Sequence, residues 1–155
     1  MIIEESMLDA LSQDARDSKR KRKNLNFHGE ESASCHRLLN AIEPGSYVQP
    51  HRHLDPNKDE TVILLRGRLG VLFFSADGEI ESRAVLDPAN GAYGVDIDHG
   101  RFHTLVSLQR GTVFFESKAG PYVPIDESER APWAPREGDP GAEAYVGMLE
   151  TLFSS

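Results

Sequence analysis

Apolar residues follow two different spacings along this chain. Between residues 35 and 118 they fall in short runs, some alternating with polar residues and some continuous, and glycine or proline separates the runs. Runs of about four to eight residues bounded by turn formers are typical of β-strands. The pattern predicts eight strands, at residues 35–42, 46–51, 60–66, 68–75, 80–86, 93–97, 103–108 and 112–118.

The turns between these runs also fit a sheet protein. Asp77-Gly78 is the clearest of them, because glycine adopts the positive φ that a tight hairpin requires. Many short strands with no helical spacing between them indicate an antiparallel sandwich or barrel and not an α/β sheet. The sequence therefore predicts an all-β fold. The other expected turn glycines are Gly45, Gly67, Gly91, Gly100 and Gly111.

Both ends of the chain have helical spacing instead. Apolar residues stand three or four positions apart over residues 3–16 and again over residues 141–153, which predicts one short helix at each end. We expect one domain over residues 1–155. Its parts are a helix with a basic arm (residues 3–34), a barrel (about 35–118), and a wrapping tail with a C-terminal helix (119–155).

Composition and charge narrow the classes of partner. The chain has 17 Lys plus Arg against 25 Asp plus Glu, a net charge of −8. This balance argues against nucleic-acid or anionic-membrane binding, which needs a broad basic face. No secretory signal or membrane-spanning run is visible, so we expect a cytoplasmic protein. Cys35 is the only cysteine, which excludes an internal disulfide, and we expect a buried structural thiol.

Three histidines and one glutamate form the strongest candidate site. His51 and His53 stand two apart, and residues i and i+2 of a strand project to the same face. Glu60 begins the next apolar run, and His103 begins a later one. Imidazole and carboxylate ligands together suit Zn, Fe, Ni, Mn or Co better than Ca or Mg, which prefer oxygen alone. The set predicts one divalent transition metal ion; two surface histidines beside Arg52 are the alternative.

The spacing around these residues resembles the first motif of the cupin superfamily, in which a glycine, two histidines, a glutamate and a closing glycine follow in this order. Here the loop before the glutamate is longer than the family's usual one, so Asp59 and Asp55 stay open as alternatives to Glu60. The segment reads Gly45, five residues, His51-Arg52-His53, six residues, Glu60, six residues and Gly67.

A second cupin motif is similar to the segment that ends in Gly100, two residues and His103. Asp98 replaces the proline usual in that motif, and Ser107 replaces its late asparagine. The two motifs make the resemblance cover residues 35–118. It implies a cupin fold, which is a double-stranded β-helix or jelly-roll barrel of antiparallel strands. It also implies that the ion is held by four ligands, namely His51, His53, Glu60 and His103.

A closer resemblance is to the cupin metalloproteins of the WbuC family, which are found with bacterial surface-polysaccharide genes. It extends from about residue 20 to residue 138 and implies a metal-bound cupin in polysaccharide metabolism, without a settled reaction. The segments that carry it are 22–26 (RKNLN), 39–45 (LNAIEPG), 48–53 (VQPHRH), 116–122 (ESKAGPY) and 131–135 (APWAP).

Further candidates come from charged and aromatic residues near these motifs. Glu116 and Lys118 share one face of the last predicted strand, and buried charge is costly unless it is paired or functional. We expect Glu116 and Tyr122 to move protons. For each candidate in this paragraph, the alternative is a role in packing or a position on an exposed charged face. The candidates for substrate binding are Arg37, Tyr47, Phe102 and Lys118.

The basic run Lys19 to Lys23 is expected to be a solvated arm or to dock against the acidic tail, since residues 126–150 hold seven acids and two arginines. A second possibility is that the arm folds over the barrel mouth and offers Arg22 or Lys23 to an anionic ligand.

Four functions fit these observations. The first is a metalloenzyme that acts on a small polar or sugar-related molecule, as an isomerase or lyase. The second is a non-catalytic protein that uses its ion to bind a small molecule, and the third is an Fe(II) dioxygenase. The fourth is a metal-free enzyme in which one histidine is a general base, as in sugar epimerases of similar fold. A homodimer is expected to use the apolar residues 71–74.

Overall fold

Eight strands, two α-helices and one short 3-10 helix (Pro88–Asn90) account for the regular structure of residues 1–154, which the computed structural model describes. No helix in that part of the chain has the length and apolarity that a bilayer-spanning helix needs. The elements are α1 (Glu5–Asp17), β1 (Arg22–Asn26), β2 (Cys35–Ile42), β3 (Glu60–Arg66), β4 (Leu69–Phe74), β5 (Ile80–Leu86), β6 (Gly94–Ile97), β7 (Phe102–Ser107), β8 (Thr112–Ala119) and α2 (Ala142–Thr151).

The strands form two antiparallel sheets that face each other. One sheet has five strands in the order β1-β2-β8-β3-β6, and the other has three in the order β5-β4-β7. Apolar side chains from both sheets fill the space between them, including Val62 and Phe114 from one sheet and Val71 and Leu105 from the other. The predicted all-β antiparallel fold with terminal helices is confirmed, but as two sheets and not as a closed barrel among the described residues.

The helix α1 covers the outer face of the five-stranded sheet. Its buried residues Leu8, Leu11 and Ala15 pack against Leu39 and Ala41 of β2. Because side chains alternate across a strand, the neighbouring residues of β2 point into the space between the sheets instead. One face of β2 therefore anchors the helix, and the other lines the interior.

The tail and α2 cover the outer face of the three-stranded sheet. Val146 and Leu149 of α2 lie in one cluster with Leu72 and Phe74 of β4, and the ring of Trp133 lies 4.8 Å from that of Phe74. These contacts bury β4 on both faces. The expectation that residues 71–74 supply a dimer surface is therefore wrong, because their exposed fractions are at most 7%.

Two segments differ from the sequence prediction. Residues 46–50 form no strand: Pro50 has no N–H to donate, and side chains take over some backbone pairing, as where the Thr104 hydroxyl donates to the Val48 carbonyl (2.6 Å). Conversely, part of the basic arm forms β1, which pairs with β2 at the edge of the larger sheet. Cys35, expected to be buried, is exposed at the start of β2, where the sheet ends.

Candidate metal centre

Three histidine side chains from distant parts of the sequence meet at one point inside the molecule. Ring nitrogens of His51, His53 and His103 all lie within 4.8 Å of one another. His53 and His103 are buried, and His51 is half-buried. The ring centroids of His51 and His103 are 4.7 Å apart, and those of His51 and His53 are 5.2 Å apart. Three nitrogen ligands are thus available to a single cation.

The backbone brings these histidines together by a route that the sequence analysis did not foresee. His51 lies outside the strands, but its N–H donates to the His103 carbonyl (3.0 Å) and the His103 N–H donates to the His51 carbonyl (2.9 Å). The carbonyl of His53 accepts from the N–H of Gly100 (2.7 Å). Convergence therefore does not come from a strand over residues 46–51, as predicted, but from an isolated bridge to β7 and from a loop.

Hydrogen bonds also orient two of the imidazole rings. The Nδ1 atom of His51 lies 2.9 Å from the carbonyl oxygen of Gln49, and that of His103 lies 2.9 Å from the carbonyl oxygen of Arg101. A carbonyl only accepts, so each Nδ1 carries the proton and each Nε2 presents a lone pair. Backbone carbonyls fix the tautomer of metal-bound histidines in the same way.

The Nε2 atom of His103 gives the sharpest test of whether an ion fits. It is buried and has no hydrogen-bond partner among residues 1–154. A buried polar atom without a partner is costly, and such atoms are rare in native proteins unless an ion or water satisfies them. The donor set, its tautomers and this unpaired nitrogen together fit a bound transition metal ion.

Glu60 is the carboxylate that lies against the triad. It is 4% exposed, and its Oε2 atom lies 3.2 Å from Nε2 of His53 and 3.5 Å from Nζ of Lys118. Burial favours protonation, but Lys118 and His53 outweigh it and hold the pKa of Glu60 well below its ordinary value. The alternatives are elsewhere: Asp59 is exposed and binds His99, and Asp55 is exposed and binds Asn57.

Burial sets the charge of the imidazoles. Burial is the largest of the effects that together lower the pKa of His51 to about 3; the neighbouring His103 acts in the same direction, and Glu60 opposes it. Burial lowers the pKa of His103 as well. Both rings are therefore neutral at physiological pH, which is the state that binds a metal ion.

A buried group of charges lies beside Glu60. The ammonium of Lys118 is 2.7 Å from Oε1 of Glu116, and the amide of Asn40 donates to Oε2 of the same carboxylate (2.8 Å). Burial and the nearby Glu60 raise the pKa of Glu116. The pKa of Lys118 is raised by Glu60 and Glu116 although burial acts against it. Glu116 is thus a carboxyl group with a raised pKa that Lys118 and Asn40 hold in a fixed position.

These side chains line a cavity of about 440 Å³ between the sheets. A volume of this size holds a small metabolite. Its wall is apolar at some positions and carries hydrogen-bonding or charged groups at others. The polar lining residues include His51, His103, Glu60, Glu116, Lys118, Asn40, Asn24, Thr104, Arg22, Lys23 and Arg20.

The other four predicted site residues lie away from this cavity in the described part of the chain. Tyr47 is buried, and its hydroxyl donates to the Pro135 carbonyl (2.6 Å). Phe102 is buried, with the Arg52 guanidinium 4.5 Å from its ring centroid. Arg37 and Tyr122 are exposed. Their roles in substrate binding and proton transfer stay predictions, and their positions lend them no support.

Two asparagines were missed. Asn40 holds Glu116 in place, and Asn24 stands opposite Asn40 in the β1–β2 register. The sequence did contain a signal for Asn40, because it is the one amide within the apolar part of β2, at a position that alternation assigns to the interior. A polar residue at an inward position of a strand is a candidate for the wall of a site.

Comparison with protein families gives one match. The model described as Domain of unknown function (DUF6016) matches residues 3–86, which is more than half of the chain. No curated protein matches the chain in sequence.

Solved structures are similar to the chain in fold. KdgF from a Halomonas species has a TM-score of 0.51 and 14% identity, covering 66% of this chain and 82% of that one. A cupin superfamily protein from Desulfitobacterium hafniense has a TM-score of 0.50 and 13% identity, covering 68% and 78%. A protein of unknown function from Streptococcus pyogenes has a TM-score of 0.50 and 11% identity, covering 71% and 87%. The predicted cupin fold is confirmed.

Proposed function

The chain belongs to the DUF6016 family and has the cupin fold, and from this premise we propose that it is a metal-binding cupin that uses a divalent transition ion to act on a small molecule. The observation that carries the proposal is the buried Nε2 of His103, which is unpaired among residues 1–154 and lies in a triad where carbonyls hold Nδ1 of His51 and of His103. The proposed ligands are His51, His53, His103 and Glu60.

The donor set supports a particular class of ion. Three imidazole nitrogens and one carboxylate suit Zn, Fe, Ni or Mn, whereas Ca and Mg favour oxygen ligands. Such an ion, when bound, polarises a carbonyl or hydroxyl oxygen of the ligand and so acidifies its neighbouring protons. The carboxylate of Glu60 is ionised and ready to take part, because Lys118 and His53 keep its pKa low against the effect of burial.

We propose an enzyme as the first reading, with Glu116 as the group that moves a proton. Its carboxyl group is buried in the cavity wall, and burial raises its pKa toward the range in which an acid both gives and takes a proton. Lys118 and Asn40 fix its two oxygens. An isomerase or lyase needs one such group beside a polarised substrate.

Two observations bear on the class of substrate. The cavity volume and its polar wall suit a small polar molecule. The resemblance to WbuC proteins suggests a sugar-related metabolite of bacterial surface-polysaccharide metabolism. We propose this link on the sequence segments alone.

A non-catalytic binding protein is the second reading, and one observation favours it. Glu116, Lys118, Glu60 and Asn40 satisfy one another through contacts of 2.7 to 3.5 Å. A carboxylate held on both oxygens transfers protons less readily than a free one. In this reading the ion only holds the ligand.

Metal analysis of the purified protein tests the shared part of both readings. We expect one transition ion per chain by mass spectrometry, and loss of that ion when both His51 and His53 are replaced by alanine. His99→Ala is the matched control, because His99 is exposed and pairs with Asp59. Undiminished ion content in the double variant would refute the metal centre.

Substrate screening of the ion-loaded protein separates the readings. Turnover that chelation abolishes and that Glu116→Gln reduces at least a hundredfold supports the enzyme. Binding without turnover supports the binding protein. Oxygen uptake that depends on Fe(II) and substrate would instead identify a dioxygenase, the third expectation from sequence.

A further inference from the structure

The cavity of about 440 Å³ is more basic than the protein around it. Four cationic side chains line it, Arg20, Arg22, Lys23 and Lys118, against two carboxylates, Glu60 and Glu116. The whole chain has a net charge of −8. An acidic protein that gathers cations around one cavity attracts anions to that cavity and repels them elsewhere.

Both carboxylates lie at the end of the cavity near the metal centre. Glu60 and Glu116 both contact Lys118, and Glu60 also contacts His53. A divalent ion bound there would leave this end with a net positive charge. The other end holds the arginines of the N-terminal arm. Positive charge therefore remains at both ends of one continuous space.

The strand register assigns Arg22 to the interior. Arg22 stands opposite Ile42 and Asn24 stands opposite Asn40, and Ile42 is part of the core between the sheets. Paired residues of neighbouring strands share a face. Lys23 stands opposite Ala41, which packs under α1, so its side chain starts on the other face although it borders the cavity.

Arg22 is held in place with donors to spare. Its side chain is 19% exposed, and its guanidinium donates to the Tyr47 carbonyl (2.9 Å) and to Oε2 of Glu137 (2.8 Å). These bonds use two of the five N–H donors of a guanidinium. A half-buried arginine fixed by a carbonyl is a preorganised partner for a carboxylate or phosphate.

The wall between the two ends is partly polar, with amides beside apolar residues such as Phe114 and Leu105. Asn40 and Asn24 are neighbours across β1 and β2, and both line the cavity. Glu116 stands opposite Leu38, and Arg22 stands opposite Ile42. Leu38 and Ile42 are four residues apart on β2, which corresponds to about 13 Å along the strand. The side chain of Arg22 extends into this distance and shortens the gap that a ligand has to span. The amide nitrogen of Asn40 donates to Glu116 and that of Asn24 donates to Asn26, so the two amide oxygens are the atoms suited to accept hydrogen bonds from hydroxyl groups of a ligand that runs between the two ends.

We propose, on the premise of the metal centre, that the ligand is an elongated polyhydroxy anion. One end chelates the ion, its hydroxyl groups contact Asn40 and Asn24, and a second anionic group at the far end binds Arg22. That group is a carboxylate or a phosphate. A roughly six-carbon sugar acid has the length that this arrangement requires, whereas a two-carbon chelator does not reach the arginine.

Calorimetric titration of the ion-loaded protein with matched probes tests this inference. Gluconate has one chelating end, glucarate adds a carboxylate at the far end, and 6-phosphogluconate adds a phosphate there. We expect glucarate or 6-phosphogluconate to bind at least tenfold more tightly than gluconate. The tighter of the two identifies the second anionic group as a carboxylate or a phosphate.

Two variants separate anion binding from a structural role of Arg22. Arg22→Gln is expected to remove the tenfold gain and to leave gluconate affinity within about twofold of wild type. Glu137→Gln breaks the same ion pair but removes a competing carboxylate, so it is expected to tighten binding of the doubly anionic probe several-fold. A purely structural pair predicts weaker binding in both variants. Arg83→Gln, on exposed β5, is the charge-matched control and should change nothing.

The ion content of each sample distinguishes failure of the proposed function from failure of the elongated-anion proposal. A wild-type protein without an ion refutes the proposed function. An ion-loaded protein that binds all three probes equally, or binds none, refutes the elongated anion. Retention of the gain in Arg22→Gln, or weaker binding of the doubly anionic probe in Glu137→Gln, also refutes it. Thermal unfolding checks that each variant is folded.

Discussion

Histidines meet at two places in this molecule, and the two clusters differ in what their ring nitrogens do. His28 and His36 stack with their ring centroids 4.0 Å apart. Nδ1 of His28 accepts from the Arg37 N–H, and Nε2 of His36 lies 3.1 Å from the Glu31 carbonyl oxygen. These bonds hold local loops to β2. In the triad, the carbonyl bonds are made by Nδ1 of His51 and His103, and the Nε2 of His103 is left unpaired among the described residues.

The comparison shows that proximity of histidines does not by itself indicate a metal centre. What distinguishes the triad is that the backbone contacts of His51 and His103 are made by Nδ1. Nε2 of His103 is therefore left unpaired among the described residues. The triad also has a buried carboxylate, Glu60, beside it. His28 and His36 are expected to be structural, and they serve as an internal control for the predictions on ion removal, ligand replacement and pH below.

Removal of the ion is expected to have the largest effect. An ion held about 1,000-fold above its dissociation constant stabilises the folded state by about 4 kcal/mol. For a domain of this size that corresponds to a fall of roughly 10 °C in Tm on chelation. Differential scanning calorimetry with and without a chelator measures it, and His28→Ala should show the same fall. An equal Tm with and without chelator in ion-loaded wild type would contradict a stabilising metal centre.

Replacement of a single ligand residue is expected to have an effect that is nearly as large. If binding energy of about 10–16 kcal/mol is shared among four ligands, His103→Ala weakens ion binding roughly 60- to 700-fold. Competitive titration against a chromophoric chelator gives the affinity. His28→Ala should bind the ion as wild type does. Equal weakening in both variants would mean that the two clusters do not differ as described.

The pH dependence of the metal-free protein is the third effect. The unfolded chain protonates His51 near pH 6.5, whereas burial holds the folded-state pKa at about 3. Between these values the unfolded state binds the extra proton, so stability falls as the pH falls. The loss is about 2 kcal/mol between pH 6.5 and pH 5 for one such histidine.

Urea unfolding of the metal-free protein from pH 5 to pH 7.5 measures this dependence. Stability should become independent of this group toward pH 7.5, about one unit above the unfolded-state pKa, where His51 is neutral in both states. The variant His51→Gln should reduce the slope, with His103 supplying part of what remains, and His28→Gln should keep it. A slope unchanged in His51→Gln would assign the dependence to other groups.

The smallest effect concerns the cation beside the triad, a feature for which the stacked pair offers no equivalent. Lys118 competes with an ion for Glu60, at 3.5 Å from its Oε2 atom. Lys118→Met is expected to tighten ion binding about tenfold, or by ~1.4 kcal/mol. The chelator competition used for His103→Ala measures it. Weaker binding in a folded Lys118→Met protein would show that Lys118 supports the site instead.

Much of the fold was predictable because its signals are local. The strands β2, β3 and β5 have the bounds that the apolar runs predicted, and both helices lie within about two residues of their predicted bounds. All six predicted turn glycines have positive φ. At Gly67 the reason is also steric, since a Cβ there would lie 2.7 Å from the Thr112 Cα atom. Turn chemistry and periodicity are properties of neighbouring residues, so a single sequence contains them.

What could not be predicted depends on distant pairing. The strand β1 has the composition of an exposed basic arm, because one edge of it faces solvent and the other pairs with β2. The segment 46–50 has strand-like residues, but side chains and loops satisfy several of its backbone groups. At the site, the spacing of the histidines predicted that they converge, whereas the bridge from His51 to β7 and the role of Asn40 depend on the three-dimensional arrangement.

The ion pairs from Arg20 and Arg22 to Glu137 confirm the expected docking of the basic arm on the acidic tail. The residues at the two ends of the cavity also come from different parts of the sequence. The proposed ion ligands come from the middle of the chain, whereas Arg20, Arg22 and Lys23 at the other end come from the N-terminal arm, which Glu137 of the tail holds through Arg20 and Arg22. Substitutions in the arm or the tail can alter which molecules are admitted without disturbing the reactive centre, so related chains can diverge in selectivity while keeping one chemistry.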